Sequence, residues 1–392
     1  MTRQLSATSA ISAVAFVLAV AGTAPLRAQQ LPRGTIIDSV TCADDSTQSY
    51  ALYLPSTYSP DRAWSLLIAF HPAARGRTMV EKYRAAAEQY GYIVAGSNNS
   101  RNGPVSVSAA SVRAMSGDLG QRFSIDADRM YLTGLSGGAR IAMQVALGNK
   151  NIAGVIASSA GYPDSKPRSS VTFPVFGTAG TDDFNYIEMR QLDRKLTSPH
   201  HLEVFNGGHT LPPDSVALDA VEWMELQAMK AGRKSKDEAL IDRLLEKRRK
   251  RIADSTDAAG TVHLLEALAD DFKGLRDVAA ETARARELTR QPEVKKALSR
   301  ERSNDDAEIR VLDEIAGLEA GLGDVSRHDA NLSRLREYLT RFTRAADAPD
   351  ESPERSQARR MLRVVTGGAN ERVEDPEYRR LLAQFAPRTR QQ

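Results

Sequence analysis

Five short apolar runs constrain this chain most. They are Ser65-Leu66-Leu67-Ile68-Ala69-Phe70, Tyr92-Ile93-Val94-Ala95, Arg129-Met130-Tyr131-Leu132, Ala153-Gly154-Val155-Ile156-Ala157 and Pro174-Val175-Phe176. A half-exposed strand would alternate polar and apolar residues; unbroken runs fit strands buried on both faces. Helical patterns separate them, among them Met79 to Tyr90 and Ala139 to Leu147. Alternating strand and helix implies a mostly parallel sheet with helices on both faces, an α/β class. Thr35-Ile36-Ile37 and Tyr50-Ala51-Leu52-Tyr53-Leu54 read as an antiparallel hairpin leading into it. Ligands on such sheets bind beyond the carboxyl ends of the strands, so the loops there are the ones to search for chemistry.

The pattern changes near residue 230. Residues 231–392 hold 33 Lys/Arg and 31 Asp/Glu, about 40% of that segment, against 20 and 19 in the preceding 230 residues. Segments such as Leu240-Ile241-Leu244-Leu245 and Leu332-Leu335-Tyr338-Leu339 have the spacing of helices with one buried face. An all-α C-terminal domain is therefore expected over 233–392, and an α/β domain over 29–232. The α/β segment contains the whole strand pattern and a closing amphipathic helix, Ala217 to Lys230, so it is expected to be separable. The run Lys247-Arg248-Arg249-Lys250-Arg251 is balanced by acidic neighbours and reads as a solvated helix face. With a net charge of +3, no nucleic-acid partner is expected. The charged helices are the surface through which a protein partner would act.

Arg3, the apolar stretch Ile11 to Ala21 and the small residue Ala28 form a secretory leader over residues 1–28. The apolar stretch is shorter than the roughly 20 residues a bilayer span needs, so no stable membrane insertion is expected. The mature chain is expected in a periplasm or outside the cell. The single cysteine, Cys42, excludes an internal disulfide and reads as structural.

The stretch most telling for chemistry is Tyr131-Leu132-Thr133-Gly134-Leu135-Ser136-Gly137-Gly138-Ala139. A strand runs into Gly-x-Ser-x-Gly and a helix follows at once. Glycines at 134 and 138 allow a turn too sharp for a Cβ at either place, and Ser136 is thrust above the sheet at a helix N-terminus. A hydroxyl becomes a nucleophile when a base takes its proton and an acid orients the base. Of the histidines after Ser136, His209 follows the run Glu203-Val204-Phe205 and so stands at a strand's carboxyl end. His200 and His201 precede that run and are expected as solvated loop residues; His263 and His328 fall in the charged part. The acid lies in Gly180-Thr181-Asp182-Asp183, where two adjacent carboxylates cannot both face one imidazole. An oxyanion needs two backbone donors. Gly137 supplies one; Pro72 has no N–H, so Ala73 is expected to supply the other, with His71 as an orienting or packing neighbour. The polar loop Gly96 to Pro104 is a candidate pocket wall.

With these residues in view, the first part resembles the α/β-hydrolase superfamily, and within it the secreted esterases grouped with polyhydroxybutyrate depolymerases and feruloyl esterases. The resemblance covers about residues 34–230 and rests on Tyr50 to Pro55, His71-Pro72, Gly134 to Gly138, Gly180 to Asp183 and Gly208-His209. In relatives the acid often follows a glycine by three residues, which from Gly180 selects Asp183, leaving Asp182 to hold the loop. The resemblance implies a Ser136-His209-Asp183 triad without a cofactor, acting on a small ester or acylated substrate. A serine peptidase or amidase uses the same triad, and a non-catalytic exported binding protein is the reading of another class. The short spacing between Ser136, Asp183 and His209 leaves no room for a large lid.

Overall fold

The computed structural model describes residues 31–164, 168–372 and 374–385; the leader expected over 1–28 lies outside the described residues. No described helix is long and apolar enough to cross a membrane.

The strands are β1 (Ile36–Thr41), β2 (Ser49–Tyr53), β3 (Trp64–Phe70), β4 (Tyr92–Ser97), β5 (Ile125–Leu135), β6 (Ile152–Ser158), β7 (Val175–Gly180) and β8 (His200–Phe205). They form one sheet in the order β1-β2-β4-β3-β5-β6-β7-β8. The first two are antiparallel, pairing Ile36 with Tyr53 and Tyr50 with Ser97, and the rest run parallel. Helices α1 (Gly76–Tyr90), α2 (Val105–Arg122), α3 (Gly137–Leu147), α4 (Tyr186–Lys195) and α5 (Asp214–Lys230) cover it. The expected class is the observed one, a mostly parallel α/β sheet followed, among the described residues, by helices alone.

Successive strand residues point to opposite faces, and both faces are buried. Leu66, Ile68, Leu132 and Val155 pack with residues of α2 and α3. Their neighbours Leu67, Tyr131 and Ile156 pack on the other side with residues of α1 and α5. This is why the strands read as unbroken apolar runs.

The second part comprises α6 (Glu238–Ala253), α7 (Ala258–Phe272), α8 (Ala279–Arg290), α9 (Pro292–Ala320), α10 (His328–Ala346), α11 (Pro353–Arg372) and α12 (Pro376–Phe385). Side-chain caps mark two of its starts: Asp237 accepts from Leu240 N–H and Asp257 from Gly260 N–H. Helices α9–α12 close around Ile315, Leu335, Leu339, Met361 and Tyr378. Helices α6–α8 close around Ile241, Leu244, Leu268 and Phe272, in one cluster with Leu226 and Met229 of α5. Apolar contact therefore runs across residue 232. Polar ties cross it too: Trp223 Nε1 donates to Asp271, and Arg190 pairs with Glu301 at 2.7 Å.

Two expectations change. His200 and His201 belong to β8, and His201 stacks on Phe176 with ring centroids 4.8 Å apart. Edge strand β8 starts earlier than its apolar residues indicate because His200 and His201 already pair with Val175 and Phe176 of β7. The basic run 247–251 is not simply solvated. Lys247 pairs with Asp219 and Glu222, Arg251 pairs with Glu203, and Arg248 is buried.

Candidate active site

Ser136 caps α3 directly after β5, with φ 53° and ψ −121°. A non-glycine residue there carries strain of about 1–3 kcal/mol, so the surroundings must hold it. Ser136 N–H donates to Ser158 O at 2.8 Å, and Arg140 N–H donates to Ser136 O at 3.1 Å. The flanking glycines are needed for close approach. A methyl on Gly134 would lie 2.2 Å from the Gly138 carbonyl carbon, and one on Gly138 2.2 Å from Phe70 O. Gly137 opens α3, so its N–H has no acceptor within the helix and lies at the positive end of the dipole.

The expected second donor is already engaged. Ala73 N–H donates to His71 Nδ1 at 3.0 Å, and Ala74, at φ 56°, donates its N–H to His71 O at 3.1 Å. Burial, with Arg75 nearby, pushes the His71 imidazole below its usual pKa, which keeps the accepting lone pair on Nδ1. In this arrangement Ala73 must exchange His71 for an oxyanion in order to serve one.

His209 follows β8, and its Nδ1 stands 2.8 Å from Asp183 Oδ1. Asp183 is fully buried, and the same oxygen accepts Asn185 N–H at 2.8 Å. With the proton on Nδ1 facing the carboxylate, Nε2 is left as the basic nitrogen. Asp182 turns away and pairs with Arg359 at 3.0 Å. The structure thus brings Asp183 and His209 into direct contact. Ser136 Oγ makes no hydrogen bond among the described residues; it stands at the same carboxyl edge, with β6 between its strand and β7. A backbone relay spans that gap. Ser158 O holds Ser136, Ser159 N–H donates to Thr178 O at 2.8 Å, and Asn185 Nδ2 donates to Ser159 O at 2.7 Å.

Three further neighbours complete the site, two of which the sequence did not single out. Phe184 lies flat on His209, Asn102 covers Gly137 so closely that an added methyl would be 1.8 Å from its Oδ1, and Arg140 forks onto Glu188 at 2.8 and 2.7 Å. Only Asn102 had a signal, through its polar loop. Cys42 is buried, and burial together with Asp118 pushes its thiol up to about 12, so it stays protonated.

No protein-family model and no curated protein matches the chain. Among solved structures, a thermostable esterase is 18% identical over 48% of this chain and 60% of its own, with a TM-score of 0.36. A hyperthermophilic esterase from the archaeon Pyrobaculum calidifontis is 12% identical over 52% of this chain and 87% of its own, at 0.38. Esterase B from Lactobacillus rhamnosis is 15% identical over 52% and 92%, at 0.40. The chain thus spans less than two thirds of the first of these, and likenesses at this level carry no conclusion about its chemistry.

Proposed function

We propose that the chain is a serine hydrolase that cleaves carboxylic esters through an acyl-enzyme on Ser136. The observation that supports this most is the 2.8 Å contact between His209 Nδ1 and buried Asp183 Oδ1, at the sheet edge where Ser136 stands in its strained turn. His209 Nε2 takes the Ser136 proton as Oγ attacks the ester carbonyl, and the oxyanion meets Gly137 N–H, joined by Ala73 N–H once that donor has released His71 Nδ1. The proton passes to the departing alkoxide, which leaves as alcohol. Water then gives its proton to His209 and attacks the acyl carbon, releasing the acid and restoring Ser136. Asp183 keeps the imidazole in the required tautomer throughout. No step needs a metal or cofactor.

A fluorophosphonate probe with Ser136→Ala tests this reading. Wild-type protein labels at Ser136 and hydrolyses p-nitrophenyl acetate, and the variant loses about 10⁴-fold or more in kcat. Labelling elsewhere, or activity that survives the substitution, removes it. We further infer that residues 1–28 are a cleaved export leader; a mature protein beginning at Gln29, read by mass spectrometry of the exported fraction, is the expected result.

A further inference from the structure

The loop that carries Asp183 is gripped by a helix from the far end of the chain. Arg360 of α11 is buried; its Nη1 donates to Thr181 O, and its Nε and Nη2 fork onto buried Glu308 of α9 at 3.1 and 2.6 Å. Its guanidinium carbon stands 4.1 Å from the centre of the Tyr186 ring. Tyr186 N–H in turn donates to Asp183 O at 2.9 Å. One side chain thus holds the loop two residues before the acid and, through Tyr186, three residues after it. The same helix places Arg359 on the Asp182 carboxylate at 3.0 Å and Arg363 on Asp182 O at 3.4 Å.

What is gripped extends to the base. Thr181 N–H donates to Phe205 O at 2.9 Å and Asp182 N–H to Gly207 O at 2.8 Å, so the acid and base loops are bonded backbone to backbone. They touch without slack, because a methyl on Gly180 would be 2.3 Å from Gly207 O.

Stability alone is a weak reason for this arrangement, since apolar side chains of similar volume often replace a buried ion pair without loss. What they lack is a directed donor for Thr181 O and a flat cation for the Tyr186 face.

We propose that Arg360 is a positioning residue. It fixes the Thr181–Asp183 loop so that the Asp183–His209 pair is aimed at Ser136, and the charged helical part is thereby a built-in brace of the active site. This rests on the Ser136-His209-Asp183 reading above.

The test is made on the full chain with p-nitrophenyl acetate. Arg360→Met alone strands Glu308 as an unpaired buried charge, so the deciding variant is Arg360→Met with Glu308→Leu, which removes both charges together. It is expected to keep its thermal midpoint within a few degrees and its KM within about twofold, while kcat falls by about ten- to a hundredfold, the order set by misplacing a catalytic group by a fraction of an ångström to an ångström. Arg360→Lys, which keeps a charged donor, recovers most of kcat. A folded double variant with wild-type kcat overturns the brace and leaves the triad standing. Loss of midpoint, KM and kcat together, unrelieved by Arg360→Lys, also overturns it, by making the role purely structural. Activity that survives Ser136→Ala overturns the triad itself, and the brace with it.

Discussion

Phe184 lies face to face with the His209 imidazole, ring centroids 3.9 Å apart and planes 24° from parallel. The residue next to Asp183 in the chain is thus packed on its partner imidazole. Stacking of this kind is worth about 0.5–1.5 kcal/mol, enough to help hold one ring orientation while Asp183 fixes the tautomer and Nε2 stays free for proton transfer. Phe184 is also 37% exposed, one of two large hydrophobic residues so placed among those described. Phe184→Ala is expected to lower kcat/KM on a small ester by roughly three- to tenfold, and Phe184→Tyr by much less. Equal values for wild type and Phe184→Ala would show that the ring only decorates the site.

The adjacent aspartates separate cleanly. Asp183→Asn replaces the acceptor of His209 Nδ1–H with an amide and is expected to cost about 10³–10⁴-fold in kcat. Asp182→Asn removes a partly exposed pair with Arg359 and is expected to cost no more than severalfold. Steady-state kinetics of the two variants decide it, and a reversed order would move the acid role to Asp182.

The residues of this site differ in how legible they were. Ser136 was readable because its turn admits only glycine at 134 and 138, so the constraint is written in neighbouring residues. His209 was readable because strand ends can be located from apolar runs. Asp183 needed a likeness to other proteins, since local chemistry is the same for both carboxylates. Arg360 was invisible: 179 positions separate it from Thr181. A docking contact between two charged surfaces imposes no periodicity on either sequence. The same reason hid Arg251 on Glu203 and made the basic run look solvated. The engagement of Ala73 N–H by the His71 ring is a side-chain contact two residues apart in a loop, and no apolar pattern announces it.

Acid should loosen the contact between β8 and α6. Burial favours the protonated form of Glu203, but the His201 ring and the Arg251 guanidinium outweigh it and hold the carboxyl down at about 2. The folded value lies below the unfolded one of 4.5, so this stabilisation is complete above about pH 5 and is lost as pH falls toward 2. The full difference corresponds to about 3 kcal/mol; the Arg251 side chain is 41% exposed, and screening reduces this to ~1–2 kcal/mol. Glu203→Gln is therefore expected to be less stable than wild type at pH 7, with the gap closing by pH 2. Urea midpoints at a series of pH values measure this. A constant gap would locate the acid sensitivity elsewhere.

Removing the helical part tests how far the two parts depend on each other. Residues 29–232 carry Ser136, Asp183 and His209 together with every strand among the described residues, which by sequence reads as a separable unit. The contacts across residue 232 argue for a cost. Truncation bares Leu226 and Met229, which are almost fully buried against α6–α8. Exposing two such side chains costs about 3–6 kcal/mol. It also strips Trp223 of Asp271, Glu203 of Arg251 and the acid loop of Arg359 and Arg360. At roughly 2–4 °C per kcal/mol for a unit of this size, the thermal midpoint is expected to fall by about 10 °C or more. Soluble truncated protein should still react with a fluorophosphonate at Ser136, because β5, β6 and α3 hold the turn without help from the helices. Its kcat should fall further than its extent of labelling, because labelling needs one attack per molecule whereas turnover calls on the braced Asp183–His209 pair in every acylation and deacylation. Differential scanning calorimetry and acetate-ester kinetics on the 29–232 fragment check both expectations. A fragment with the full chain's midpoint and kcat/KM within tenfold of it would mean that the helices are a passenger, and that the ties across residue 232 hold the helices to the sheet domain rather than that domain in shape.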